Sequence, residues 1–322
     1  MTVQDILNGN RRALARFLTS VENNRESVNR ELAELFPYSE NSHIIGITGA
    51  PGTGKSSLVT ALTKQLRELE KTVAIVAVDP TSPFSGGAIL GDRIRMRSLS
   101  GDKGVYIRSM ATRGNLGGLA WTTQDMIRVL AAAGYDIVIV ETVGAGQSEV
   151  DIMGIAHTTI VVDAPGLGDK VQAIKAGILE IADILVVNKG DLEGADKTER
   201  SLKGMLELGH PIKYQDYDVP LWIPPIVRTS TKNDIGLELL VQTIFDHHQH
   251  MNQHGLQTKL LQDQMTQEFN KRLQTTLFKR LVETVEDDMI AGIIKRITQY
   301  DIDPQQAVDE LLGKLDLSFN QE

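Results

Sequence analysis

Gly49-Ala50-Pro51-Gly52-Thr53-Gly54-Lys55-Ser56 follows the apolar run His43–Thr48 and opens into the helix-forming stretch Lys55–Glu70. A G-x-x-x-x-G-K-S sequence placed between a strand and a helix is a phosphate cradle. Its glycines let successive backbone N–H groups face a polyphosphate, and the helix dipole adds favourable charge at the same point. On this reading Gly49, Ala50, Pro51, Gly52, Thr53 and Gly54 form the cradle, with Ser57 beside it in the first helical turn. Lys55 neutralises the β and γ oxygens, and the Ser56 hydroxyl ligates Mg²⁺.

Outward from the cradle, short apolar runs alternate with helical stretches. The strand candidates are His43–Thr48, Thr72–Val78, Gly104–Ile107, Ile137–Glu141, Thr158–Asp163, Ile184–Asn188 and Ile226–Ser230. Most are Val- and Ile-rich without polar alternation, the pattern of strands buried on both faces of a parallel sheet. Helices are expected over Lys55–Glu70, Leu119–Ala133, Lys170–Ile181, Ala195–Leu208 and Leu237–His248. The alternation predicts an α/β fold, a doubly wound and mostly parallel sheet, whose ligands sit at the carboxyl ends of the strands.

The remaining motifs fall at those ends. Ile184–Val187 leads into Asn188-Lys189-Gly190-Asp191. A carboxylate at Asp191 can accept from both the ring N–H and the exocyclic amine of guanine. Adenine lacks that donor pair, and a site built on such bonds rejects the wrong partner by about 10⁴-fold or more. The next strand ends in Thr229-Ser230-Thr231-Lys232, which resembles the S-A-K element whose backbone N–H groups reach the guanine carbonyl oxygen; a Ser/Thr-rich turn is the alternative. The nucleotide is therefore expected to be GTP or GDP.

Two further strand ends carry carboxylates. Asp79 closes one, with Asp92 after a Gly-rich stretch, and Glu141 closes another ahead of Gly144 and Gln147. Asp79, Asp92 and Glu141 are candidates for the metal shell with Ser56. Gly144 is a candidate to offer its N–H to the γ-phosphate, and Gln147 and Glu149 are candidates to orient water, with helix-capping polar residues as the alternative. The loop Asp163–Gln172 is either a plain turn or a further moving segment.

The bulk numbers bound the partners. The chain has 322 residues, a net charge of -9 and no cysteine. The acidic balance argues against nucleic acid, which needs a basic face. The absence of cysteine fits a reducing compartment, and no apolar run reaches the ~18 to 20 residues that span a bilayer. Neither a signal nor a transit peptide is evident at the start, so a cytoplasmic location is expected, with no membrane partner. Three zones are expected: an N-terminal helical segment over residues 1–40, the nucleotide-binding domain over 41–250, and a helical arm over 251–322. Asn23–Glu26 reads as a break between two N-terminal helices. In the arm Phe269, Leu273, Leu277, Leu281 and Val285 recur at fours, so this stripe needs a partner surface. His247, His248, His250 and His254 read as a solvated helix end, with a metal site as the alternative.

Together GAPGTGKS (49–56), AVDPTSP (77–83) with GDRIRM (91–96), RGNLGGLA (113–120), ETVGAGQSE (141–149), the run 165–184 and VNKGD (187–191) resemble the ArgK/MeaB family of GTPases. The opening NGNRRALARFLTSVEN is similar to that family's N-terminal helix. The resemblance implies a chaperone of an adenosylcobalamin-dependent acyl-CoA mutase, chiefly methylmalonyl-CoA mutase, with the cobalamin on the partner only. It implies a homodimer joined through C-terminal helical arms, and nucleotide states that gate cofactor loading and protection of the mutase. It assigns metal and catalytic duties to Asp79, Asp92 and Glu141, and a client-sensing role to the segment Asp163–Lys175. Lys170 and Val171 depart from the acidic residue and leucine common there, which bears on the identity of the client. A metallochaperone GTPase and a transport-linked nucleotide hydrolase or kinase are the alternatives.

Overall fold

The computed structural model describes residues 2–23, 25–79, 96–111, 118–142, 154–166, 181–208, 219–285 and 287–314. Asp92, Gly144, Gln147, Glu149 and the expected helix Lys170–Ile181, all but its last residue, lie outside them, as does the client-sensing segment beyond Gly166.

Seven parallel strands form one sheet among the described residues: β1 (His43–Thr48), β2 (Val73–Asp79), β3 (Val105–Ala111), β4 (Ile137–Thr142), β5 (Thr158–Asp163), β6 (Ile184–Val187) and β7 (Ile226–Arg228). Their order is β3-β2-β4-β1-β5-β6-β7, with every pairing parallel. The chain leaves β1 on one side and returns through β4. It then crosses to the other side with β5, so β1 stands where the winding reverses and its carboxyl end opens into the crevice.

The uninterrupted Val and Ile runs have the expected cause. Every residue of β4, β5 and β6 is buried, and alternate residues feed opposite layers. Val138 and Val140 join one cluster with Ala74, Val76 and Val78. Ile137 and Ile139 join the other with Ile45, Ile47, Ile75 and Ile160. Full burial of each such side chain stabilises the fold by about 1.5–3 kcal/mol.

The second layer is roofed by α4 (Lys55–Glu68) and α7 (Leu237–Gln253), which contribute Leu58, Leu62, Leu66, Leu240 and Ile244. Across the sheet, α5 (Gly118–Ala132) shares its layer with α2 (Arg11–Asn23) through Phe17, Leu18, Val21, Met126 and Leu130. Among the described residues the N-terminal stretch holds three α-helices rather than two: α1 (Val3–Leu7), α2 and α3 (Asn29–Leu35). The additional break lies at Gly9-Asn10, where the Asn10 side chain accepts from the N–H groups of Arg12 and Ala13 at 3.1 and 3.2 Å. That is an N-cap, which starts α2 afresh. The ion pair of Arg108 on β3 with Glu22 fixes α2 in place. Between α5 and α7, α6 (Ala195–Leu208) packs Leu202 against β6.

The chain divides into two compact units, up to Lys259 and from Leu260 onward. The division falls within α8 (Leu256–Thr284). In the second unit, α9 (Asp287–Thr298) and α10 (Pro304–Lys314) are joined by Arg296, whose Nη1 donates to both carboxylate oxygens of Glu310 at 3.0 and 2.7 Å. On α8 the first part of the stripe is exposed, Phe269 at 64% and Leu277 at 55%, as is the neighbouring Phe278 at 69%, whereas Leu281 is half-buried and Val285, just past the helix, is buried. No helix of the described residues is long and apolar enough to cross a membrane.

Candidate functional site

The loop Gly49–Gly54 spans the carboxyl end of β1 and the start of α4, and its glycines are fixed by their surroundings. Gly49 has φ +140°, and a Cβ there would lie 2.1 Å from the Val162 carbonyl oxygen of β5. Gly54 caps α4 in the left-handed conformation with φ +90°, and its Cβ would meet Asn188 Nδ2 at 2.6 Å. A side chain at Gly49 would meet the backbone of β5, and one at Gly54 would displace the Asn188 amide, while both positive φ values favour glycine. Thr53 is buried and its hydroxyl donates to the Ala50 carbonyl at 2.9 Å. The Lys55 ammonium reaches back over the loop to the carbonyls of Gly49 and Ala50, at 2.6 and 3.1 Å. It is thus held across the loop between β1 and α4.

Beside it, the Ser56 hydroxyl donates to Glu141 Oε1 at 2.6 Å, and both side chains are buried. Glu141 comes from β4, the strand next to β1. Asp79 closes β2, whose Val78 pairs with Thr142 of β4, so its backbone lies just beyond Glu141 along the sheet edge. The donor set of hydroxyl and carboxylate oxygens is the hard-oxygen chemistry that Mg²⁺ takes.

The loop after β6 is tied to the cradle. Asn188 Nδ2 donates to the Thr53 carbonyl at 2.9 Å, and its Oδ1 accepts from the Thr229 hydroxyl at 3.2 Å. Lys189 donates to the Gly52 carbonyl at 2.7 Å. Asp191 accepts from the Ser230 hydroxyl at 2.6 Å. That bond holds its carboxyl below the usual aspartate range, with its own backbone N–H and the charge of Lys232 acting the same way. The carboxylate is exposed.

The turn after β7 completes the arrangement. The Ser230 N–H is used within the turn, on the Ile235 carbonyl at 3.0 Å, which leaves the N–H groups of Thr231 and Lys232 as its candidates for a ligand. A groove of about 390 Å³ joins this turn to α4, with Ser57, Thr60, Lys64, Thr231 and Lys232 in its walls. The structure therefore brings together Gly49–Ser57, Glu141, Asn188, Lys189, Asp191 and Ser230–Lys232. Thr229, named with the turn after β7, bonds Asn188, whereas sequence reasoning passed over the preceding Arg228. The latter lays its guanidinium on the Gly190 carbonyl, and the one signal for it is the glycine within Asn-Lys-Gly-Asp.

A profile described as "Methylmalonyl Co-A mutase-associated GTPase MeaB" matches residues 14–286. The chain belongs to the MeaB family. A Pyrococcus abyssi relative whose name carries the word GTPase is 43% identical over 313 residues, covering 97% of this chain and 95% of that one. "GTPase ArgK" of Escherichia coli K12 is 32% identical over 292 residues, 89% of this chain and 87% of its own. The "Methylmalonic aciduria type A homolog, mitochondrial" of Caenorhabditis briggsae is 33% identical over 279 residues, 81% of this chain and 66% of its own. The fold matches the crystal structure of a "LAO/AO transport system kinase" with a TM-score of 0.74 at 24% identity, over 98% of this chain and 96% of that one. This MeaB-family member is accordingly a P-loop GTPase, which hydrolyses GTP to GDP and phosphate.

The histidines contradict the reading of a solvated helix end. His247 is fully buried, with Nδ1 2.9 Å from the Thr158 hydroxyl and Nε2 3.4 Å from Asp183. The Thr158 hydroxyl also meets His43 Nε2 at 2.8 Å, and His43 stacks on His248 with centroids 4.2 Å apart. Trp222 packs edge-on to His247 and approaches His250, which contacts His254. His43 and Thr158 begin β1 and β5, so this cluster lies at the amino ends of the strands, opposite the cradle.

Proposed function

We propose that the chain is a GTP-hydrolysing chaperone of an adenosylcobalamin-dependent acyl-CoA mutase, methylmalonyl-CoA mutase in the first instance. Its nucleotide state gates loading of the cobalamin and protection of the mutase. The observation that carries this reading is the family match over residues 14–286, under a description that names methylmalonyl-CoA mutase. The relative named for methylmalonic aciduria supports it.

In this reading the N–H groups of Gly49–Ser57 hold the phosphates and Lys55 leaves its two carbonyl partners for the β and γ oxygens. Asp191 accepts from guanine, Lys189 and Asn188 hold the base loop against the cradle, and the Ser230–Lys232 turn meets the base carbonyl. Ser56 and Glu141 would hold Mg²⁺, with Asp79 and Asp92 as further carboxylates. When bound, the metal offsets charge on the phosphate oxygens as the terminal phosphoryl group leaves. Gly144 and Gln147 are assigned to the γ-phosphate and the attacking water. No arginine is assigned to the transition state, so hydrolysis is slow until the partner is engaged.

The exposed stripe Phe269, Leu273 and Leu277 is the surface by which the arm over 251–322 forms a homodimer, which light scattering reads directly. The acidic, cysteine-free chain works in the cytoplasm. The test is capture of purified methylmalonyl-CoA mutase by the GDP-bound and the GTP-analogue-bound chain. State-dependent binding is expected. Equal binding in both states, or none, refutes the chaperone role while leaving the GTPase intact.

A further inference from the structure

We propose that Arg228 is a positioning residue for guanine recognition: its guanidinium clamps the Gly190 peptide and so sets where Asp191 meets the base. The inference rests on the assignment of Asp191 as the guanine reader.

Arg228 ends β7 and lies beside the base loop. Its Nε and Nη2 both donate to the Gly190 carbonyl, at 2.9 and 2.6 Å. Nη1 pairs with Asp196 in the first turn of α6. From the other side, the Gly190 N–H donates to the Thr229 carbonyl at 2.8 Å. Both polar groups of residue 190 are thereby held by β7 and the residue that follows it. Lys189, just before, has φ +55°. An L residue adopts that left-handed conformation only when its surroundings impose it. The peptide that Arg228 grips therefore lies between Lys189, on the Gly52 carbonyl, and Asp191, on the Ser230 hydroxyl.

Gly190 itself records the clamp. A Cβ there would stand 2.6 Å from Arg228 Cγ and 2.9 Å from its Nε. Glycine is thus what lets the arginine lie across the loop, although residue 190 needs no positive φ. The ion pair with Asp196 is well exposed and contributes little by itself. The two charge-assisted bonds to one carbonyl are the stronger element, and they fix loop shape rather than the core.

The test compares GDP with IDP, whose base lacks the amine that Asp191 accepts from. Both affinities are measured by calorimetry on the full chain, for wild type, Asp191→Ala, Arg228→Ala, Arg228→Gln, Arg228→Lys and Gly190→Ala. Wild type is expected to prefer GDP, and Asp191→Ala to lose that preference. Arg228→Ala and Arg228→Gln should weaken GDP by about tenfold, the worth of one charge-assisted bond. They should also move the GDP-to-IDP ratio towards that of Asp191→Ala, with Arg228→Lys recovering part of it. Gly190→Ala should behave like Arg228→Ala, and the double variant should be no worse than either single one, since both remove one clamp. A lowered melting temperature with an unchanged GDP-to-IDP ratio in Arg228→Gln overturns the proposal, because a purely structural role would do that. Should Asp191→Ala keep the wild-type ratio, the base-reading assignment fails and takes the proposal with it. If Asp191→Ala collapses the ratio and Arg228→Gln does not, the proposal alone fails.

Discussion

Asn188 joins the base loop to the phosphate cradle, and its removal has a calculable cost. The side chain is 1% exposed. Replacement by alanine deletes the 2.9 Å bond to the Thr53 carbonyl and the 3.2 Å bond from the Thr229 hydroxyl. Thr53 and Thr229 are both fully buried, so no bulk water replaces the lost partners. Each stranded polar group costs about 1–3 kcal/mol, so Asn188→Ala should destabilise the fold by roughly 2–4 kcal/mol, allowing for relaxation at one of the two groups. Asn188→Asp has the same shape, but places a carboxylate oxygen against the Thr53 carbonyl. It should cost more than the alanine, although it removes fewer atoms. Denaturant unfolding of the nucleotide-free protein gives both values, and GDP calorimetry shows whether the cradle has loosened. An Asn188→Ala loss below about 0.5 kcal/mol, or Asn188→Asp milder than Asn188→Ala, would refute the view that this bond holds the two loops together.

Further outcomes follow from other parts of the fold. Phe17 is buried at 1% between α2 and the sheet, so Phe17→Ala should cost about 3–5 kcal/mol in denaturant unfolding; a surface-like loss would mean that α2 does not cover that layer. The His43 imidazole is held well below the usual histidine value by burial, then by the charges of His248, His157 and His247, with Asp183 opposing. His248 and His250 are shifted the same way. The unfolded chain titrates near about 6.5, so below that pH it binds protons that the native protein refuses. Stability is therefore complete above about pH 6.5 and declines as the pH falls towards the lower native value. Melting temperatures between pH 7.5 and 5.5 should drop, and His43→Gln should flatten the slope; an unaltered slope would place the acid sensitivity elsewhere.

Local motifs make the cradle legible in the sequence. A Gly-rich loop needs a strand before it and a helix after it, and both lie within a few residues of Gly49. Burial on both faces likewise leaves its mark on Ile137–Val140 and Ile184–Val187. What a linear pattern does not carry is adjacency. Nothing in the Val- and Ile-rich run of β4 says that it inserts between β1 and β2, yet that insertion brings Glu141 to Ser56. For the same reason the four histidines from His247 to His254 read as a solvated helix end: their meeting with His43 and His157, distant in sequence, comes only because β1, β5 and α7 converge. Arg228 was hidden because one charged residue on a short edge strand has no periodic signature. In the arm, apolar spacing does not distinguish a residue buried within the chain from one presented outward: of one stripe, Phe269 is exposed at 64% and Val285 is buried.

The central assignment, that Asp191 makes this a guanine-nucleotide site, is tested most directly by calorimetry of Asp191→Asn against GDP and XDP. Two charge-assisted bonds to guanine are at stake, so GDP affinity should fall by about a hundredfold or more. XDP, whose base offers a carbonyl where guanine has its amine, should become the preferred ligand of the variant. Unchanged GDP affinity and no gain for XDP would contradict the assignment of Asp191, and with it the account of how this site selects its nucleotide.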